Sequence, residues 1–217
     1  MNDVNYRSEE SSTTHRRLVL ATRNKHKLEE LHTILAAAGI DVELLGMGDV
    51  GDVTDVPETG LTFADNALLK ARAVAKATGL PAAADDSGLC VDALGGQPGI
   101  FSARWAGGHG DDKANLDLVL SQLADVPDHQ RGAEFVCAAA LVLPSGEERV
   151  VEGRLEGTLT RQPRGTNGFG YDPVFVPDGE IRTTAELTPE EKNAISHRGQ
   201  AFRSLAPLVA ELLGRPS

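Results

Sequence analysis

The sequence predicts an α/β protein with a mixed central sheet, arranged in two lobes with a cleft between them. Three observations carry that reading. Short apolar strand patterns alternate with helical periodicity over residues 17–123, two long strand-like runs follow over 133–160, and the chain closes on a helical stretch.

The elements follow in order. "RLVLAT", residues 17–22, is a short apolar strand that runs directly into "NKHKLEELHTILAAAG". There Leu28, Leu31, Leu35 and Ala38 fall at helical spacing, and Gly39 is a natural C-terminal stop. A strand at Val42–Leu45 precedes a polar loop. "TFADNALLKARAVAKATG" opens with Thr62 and Asp65 in capping-box spacing and closes on Gly79. A strand over 81–84 then delivers Asp85 and Asp86 at its end. Beyond a Gly-rich loop (92–110), Asp111 or Asp112 caps a helix carrying Leu116, Leu120 and Leu123. Residues 133–160 read as a hairpin about Ser145-Gly146, with a further strand or bend after Gly153. "NGFGYDPVFVPDG" is a loop leading into a short strand. The last helix has Thr188 as its cap, Pro189 in its first turn and Glu191 completing a capping box, and Pro207 is expected to kink or restart it.

Composition narrows the function classes. A chain of 217 residues buries a proper core, and the formal net charge of −11 argues against a long nucleic-acid footprint while leaving room for a small anion held by local cations. No stretch approaches the ~18 apolar residues of a membrane span. Residues 1–16 are polar, lack the apolar segment of a secretory signal and read as a disordered extension to a single domain over 17–217. Two cysteines, Cys90 and Cys137, form neither a metal spacing nor a disulfide framework, which makes a reducing cytoplasm the expected compartment.

Four stretches carry candidate chemistry. "TRNKHK", Thr22–Lys27, lies where a strand becomes a helix, a junction whose backbone N–H groups and dipole favour anions. Arg23, Asn24, Lys25 and Lys27 add donors there, and cations at a helix N-terminus oppose the dipole unless an anion is bound. It is not a P-loop, because no Gly-rich run ends in Gly-Lys-Ser/Thr. "DDSG", residues 85–88, sets two repelling carboxylates side by side: either a solvated polar turn or a seat for a divalent cation or polarised water. Glu58 in "VPETG" is a possible partner carboxylate. "GFGYD", Gly168–Asp172, holds an aromatic between two glycines, either a hairpin turn with an incidental Phe or a ring placed to stack on a base, and Asp172 before Pro173 is expected to be extended and to point into a cleft. "EKNAISHRG" holds Lys192, His197 and Arg198, either surface decoration or groups that surround a phosphate and the polar edge of a base.

Taken together, "LATRNKHKLEEL", "PETGLTFADNALLKARAVAKATGLPAAADDSGLCVDALGGQPGIFSARWAG", "GFGYDPVF" and "TAELTPEEKNAISHRGQA" resemble the inosine triphosphate pyrophosphatase family, over about residues 17–205. The resemblance implies a long central mixed sheet, a homodimer, dependence on Mg²⁺, and conversion of XTP, ITP or dITP to the monophosphate and pyrophosphate. Carried over by motif, Thr22, Arg23, Asn24, Lys25, His26 and Lys27 would hold the triphosphate. Asp86 would be the catalytic acceptor and a metal ligand, Glu58 a second ligand and Ser87 a substrate contact. Phe169, Gly170, Tyr171, Asp172, Lys192, His197 and Arg198 would bind the nucleotide. The family commonly has Gly where this chain has Arg23.

On that reading, Glu58, Asp85 and Asp86 supply hard oxygen ligands, and the repulsion of the Asp pair is tolerable because a cation sits on it. Donors from His197 and Arg198 favour a 6-oxo purine over adenine, whose 6-amino group is itself a donor. Two alternatives stand beside it: a pyrophosphatase of other modified nucleotides, and a non-catalytic nucleotide-binding regulator.

Overall fold

Strand β1 (Arg17–Leu20) is the expected apolar run, with Leu18, Val19 and Leu20 fully buried. The computed structural model describes residues 16–51, 53–54 and 56–214, so the extension expected over residues 1–16 lies, apart from Arg16, outside the described residues. Helix α1 (Lys25–Ala37) follows, and Gly39 takes a φ of 68° just past its end. Strand β2 (Glu43–Leu45) pairs parallel to β1. Helix α2 (Phe63–Thr78) carries the full capping box between Thr62 and Asp65 and stops on Gly79. The chain continues through β3 (Ala82–Val91), the short β4 (Gln97–Pro98) and α3 (Asp112–Gln122), which is capped by the Asp111 side chain. Strands β5 (Gly132–Val142) and β6 (Glu148–Leu159) form the hairpin, then come β7 (Phe175–Pro177), α4 (Pro189–Ile195) and α5 (His197–Gly214).

The sheet order is β2-β1-β3-β5-β6-β7, with β4 also paired to β3. The β2-β1-β3 pairs are parallel and the rest antiparallel, which makes the sheet mixed as expected. Where both faces are covered, over Leu18–Leu20, Ala82–Ala84 and Val136–Val142, the strands read as apolar residues without a polar side. On one face Leu18, Leu20, Ala83, Ala139 and Leu141 pack against α1 and α5; on the other Val19, Ala82, Ala84 and Ala140 pack against α2. The far ends of β3, β5 and β6 build a second core with α3 and β7, around Leu89, Phe135, Val119 and Phe175. These two cores are the two lobes.

Three expectations need correction. Strand β3 does not end before the Asp pair. It runs ten residues, because β5 pairs with it without a break from Ala82↔Val142 to Val91↔Ala133 and the ladder carries the chain straight through Asp85 and Asp86. There is likewise no break after Gly153, and β6 is continuous. Gly153 is needed instead for close approach: a Cβ there would lie 2.1 Å from the His197 carbonyl oxygen, so the start of α5 rests directly on this strand. Finally, the terminal helix breaks at Ser196 rather than at Pro207, which sits inside α5. Ser196 turns out of the helix at ψ 145°, and its Oγ accepts a hydrogen bond from Gly199 N at 2.9 Å.

Candidate active site

The site forms at a gap in the sheet. Beside β3, strand β1 reaches only Ala83, while β4 begins its pairing at Cys90. Between them, from Ala84 to Leu89, one edge of β3 has no strand neighbour among the described residues, and the Asp pair lies in the middle of that open edge. This is a switch point of the kind at which α/β sheets bind ligands: the parallel strand β1 ends here and hands its chain to the Thr22–Lys27 turn.

Adjacent residues of a strand point to opposite faces, so the two carboxylates are held apart and given different partners, although Asp85 still adds to the raised proton affinity of Asp86. Asp85 turns to the α1/α5 face. Its buried Oδ2 accepts from Lys27 Nζ at 2.7 Å and from Arg198 Nε at 3.2 Å. Burial alone would push this carboxyl up, but Lys27 and Arg198 outweigh it and hold it well below the usual carboxylate range. Asp86 turns to the α2 face, where Oδ2 accepts from Asn66 Nδ2 at 3.0 Å and Oδ1 lies 3.6 Å from Lys70 Nζ. The three carboxylates expected together therefore part: Asp85 belongs to a different face from Asp86 and Glu58.

Glu58 does join Asp86. Its Oε1 accepts from the same Lys70 Nζ at 2.8 Å, and Arg104 stands 3.5 Å from Oε2. Burial, reinforced by Glu58, raises the proton affinity of Asp86 despite the opposing Lys70; Glu58, although burial pushes it up, is lowered by Lys70 and Arg104. Among the described residues no group of three or more His, Cys, Asp or Glu is gathered for a metal. Two carboxylates are nevertheless a sufficient protein contribution for Mg²⁺, which usually keeps water and substrate phosphate oxygens as its other ligands.

On the Asp85 side a cavity of about 880 Å³ opens between the lobes, a size suited to a small molecule. Asn24, His26, Lys27, Ser87, His197 and Arg198 line it from the first lobe side and Phe169–Asp172 and Lys192 from the other. Thr22, Arg23 and Lys25 are not in its lining, and neither are Glu58 and Asp86, which lie on the far side of the open edge. Asn24 is first of all the cap of α1: its Oδ1 accepts from His26 N and Lys27 N, so two of the N–H groups expected for an anion are already taken.

Phe169 is 60 % exposed at the cavity, with Lys192 Nζ 4.9 Å from its ring centroid. Asp172 departs from expectation. Rather than extending into the cleft, it starts a 3₁₀ turn, and its buried carboxylate accepts from Phe169 N (2.8 Å), Thr184 Oγ1 (2.9 Å) and Lys192 Nζ. Three donors pull it back onto its own loop, so it braces the aromatic turn. Gly168, at φ 76°, allows this, since a Cβ there would lie 2.1 Å from Asp172 Oδ2. Tyr171 is buried and donates through its hydroxyl to Ser102 O at 2.8 Å.

His197 stacks on Phe135 with centroids 4.9 Å apart, and its Nδ1 is buried with no partner among the described residues. Burial, then Arg198 and Lys192, draws its pKa down to about 3, so the ring is neutral at physiological pH. Arg198 spends Nε on Asp85 and NH2 on Ser87 Oγ at 3.3 Å.

Sequence reasoning missed Asn66, Lys70, Arg104 and Glu30. The signal for the first two was in α2: Phe63, Asn66, Ala67, Lys70, Ala71 and Val74 form one helical stripe, and two polar residues interrupt an otherwise apolar face. Glu30, on the cavity wall from α1, has a buried Oε1 without a partner among the described residues, and burial raises its pKa against the opposing pull of Arg198.

With this geometry in place, comparison with known proteins is decisive at the family level. The sequence profile of the Ham1 family matches residues 18–208. The chain belongs to the Ham1 family. Relatives named dITP/XTP pyrophosphatase include one from Streptomyces avermitilis, 68 % identical over 198 residues, covering 91 % of this chain and 99 % of the relative. Another, from Mycobacteroides abscessus, is 57 % identical over 202 residues, covering 92 % of this chain and 98 % of that one. Among solved structures, a HAM1 protein from Coxiella burnetii superposes with a TM-score of 0.84 at 44 % identity, covering 90 % of this chain and 99 % of its own. The crystal structure of a nucleoside-triphosphatase, dITP/XTP pyrophosphatase, from Mycobacterium abscessus gives 0.77 at 58 % identity, covering 89 % and 99 %.

Proposed function

We propose that this Ham1-family chain hydrolyses XTP, ITP and dITP to the nucleoside monophosphate and pyrophosphate, removing non-standard purines from the nucleotide pool. One observation carries the reading. The open edge of β3 separates a cavity with an exposed aromatic ring from a half-buried pair of carboxylates, Asp86 and Glu58, and Lys27, Arg198 and Lys70 flank that edge. A nucleoside triphosphate has the matching parts: a base for the cavity and a chain of phosphates that crosses the edge. The relatives named dITP/XTP pyrophosphatase support the choice among nucleotides.

In this reading the base stacks on Phe169, and the neutral His197 meets its 6-oxo edge. Lys27 and the Asn24 turn face the phosphates, with Lys70 beyond the edge. Asp86 accepts the proton of the attacking water from the α2 side of the open edge, where Asn66 and Lys70 hold it. Glu58 and Asp86 would hold Mg²⁺, which supplies charge neutralisation for the triphosphate and the departing pyrophosphate. We further propose a homodimer working in the cytoplasm. No helix among the described residues is long and apolar enough to cross a membrane.

The test is a panel of XTP, dITP, dGTP, ATP and CTP, read as pyrophosphate release with and without Mg²⁺. Efficiency on XTP and dITP at least tenfold above ATP, lost on chelation, is the expected outcome. Comparable rates on ATP would overturn the base assignment, and activity indifferent to chelation would overturn the metal. Light scattering of the purified chain tests the dimer.

A further inference from the structure

We propose that Asn115 reads position 2 of the purine, admitting xanthine and hypoxanthine and rejecting guanine. This rests on the base site of the preceding section and adds a residue to it. Asn115, in the first turns of α3, is 1 % exposed and lines the cavity. Its Oδ1 accepts from Ala106 N at 2.7 Å, and because a backbone N–H pairs only with the amide oxygen, that bond sets the flip of the side chain. The remaining end, Nδ2, is buried with no acceptor among the described residues. A buried donor left unpaired is costly, and one at a cavity wall is relieved when a ligand brings an acceptor.

Asn115 also has the right neighbours. One turn earlier on α3, Asp112 Oδ2 accepts from Gly170 N at 2.9 Å, which ties the start of this helix to the loop carrying Phe169. A purine stacked on Phe169 with its 6-oxo group toward His197 on α5 has its second distinguishing position left to be read, and α3 brings the one buried amide donor without a partner among the described residues. Hydrogen-bond sign then sorts the 6-oxo purines. Xanthine presents a 2-oxo acceptor to Nδ2, hypoxanthine presents only C–H, and guanine presents an amino group that sets donor against donor. Neither His197 nor Phe169 makes that distinction.

Asn115→Asp tests this, since it keeps the shape and the acceptor for Ala106 N while turning the free end from donor to acceptor. At pH 8, with the carboxyl ionised, the dGTP-to-dITP ratio of kcat/KM is expected to rise at least tenfold and the XTP-to-dITP ratio to fall at least tenfold. Asn115→Ala is expected to relax the exclusion of dGTP with a smaller gain. If both variants change all three substrates by one common factor, Asn115 only anchors the loop at Ala106 and the inference falls. Wild-type behaviour separates this failure from failure of the underlying reading: activity on ATP equal to that on dITP removes the base site and the inference with it. Should both variants fail to fold, calorimetry of monophosphates on the wild-type chain decides, with XMP expected tightest and GMP weakest. GMP binding as tightly as IMP would overturn the proposal.

Discussion

Asp85 and Asp86 are chemically identical neighbours that the strand assigns to opposite faces, so their amide variants are expected to differ in kind. Asp86→Asn keeps its neighbours and removes the proton acceptor; turnover is expected to drop ~10²–10⁴-fold, with the thermal midpoint little changed. Asp85→Asn leaves Lys27 and Arg198 facing each other without their buried carboxylate, a change of the kind that costs ~3–5 kcal/mol, and unfolding titrations should show it. Reversed phenotypes would mean that the catalytic face has been misassigned. Phe169 and His197 form a second contrast. Phe169→Ala is expected to weaken XTP and dITP alike, by ~1–3 kcal/mol, because stacking reads the ring face and not its edge groups, and its exposed position predicts little loss of stability. His197→Ala should instead erode discrimination against ATP; equal effects on all purines would refute its edge-reading role.

At the scale of elements, what places the site is the seating of α5 on β6. His197 and Arg198 lead that helix, and Gly153 lets its first turn approach to backbone contact. The atoms that a Cβ at Gly153 would meet, His197 O at 2.1 Å and Ala201 N at 2.6 Å, are main-chain atoms, so the helix itself must shift. Gly153→Ala is therefore expected to lower stability by ~1–3 kcal/mol and to reduce kcat/KM for every nucleotide together. Unaltered kinetics in this variant would show that the seating does not govern the site. The break at Ser196 belongs to the same arrangement: it ends the helix carrying Lys192 and restarts the chain with His197 on Phe135 and Arg198 on Asp85.

For the molecule as a whole, acid should be felt in two stages. His197 has its pKa drawn down to about 3 in the folded state, against about 6.5 for an unperturbed His. Between those values the unfolded chain binds a proton that the folded chain does not, so His197 makes stability decline as pH falls from about 6.5 toward 3, by at most one proton. Asp86 and Glu30 contribute in the opposite sense, because their raised pKa values let the folded chain take up protons first. Asp85, held below its usual range, adds a second decline as pH falls through and below about 4, where the unfolded carboxyl takes up its proton first. In denaturant titrations across pH, His197→Gln should abolish the first stage and leave the second. A wild-type slope that this variant does not alter would place the responsible group elsewhere.

What could be read along the chain is what depends on near neighbours. The caps at Thr62, Asp111 and Thr188, the helix stops at Gly39 and Gly79, the hairpin about Ser145-Gly146 and the exposed ring between Gly168 and Gly170 are local chemistry, and all stand where the spacing put them. The motifs themselves were legible for the same reason. What only the tertiary structure decided depends on pairing between distant segments. The β5 ladder turned the expected strand end at Asp85 into the middle of β3, and with it sent one carboxylate to Lys27 and Arg198 and the other to Lys70. Lys70 joins Glu58 and Asp86 only because α2 packs against that face, and Asp172, expected to point into the cleft, is drawn back by Lys192 and Thr184 from later in the chain. A strand's alternation assigns faces only once its extent is known, and that extent is set by a partner some fifty residues away.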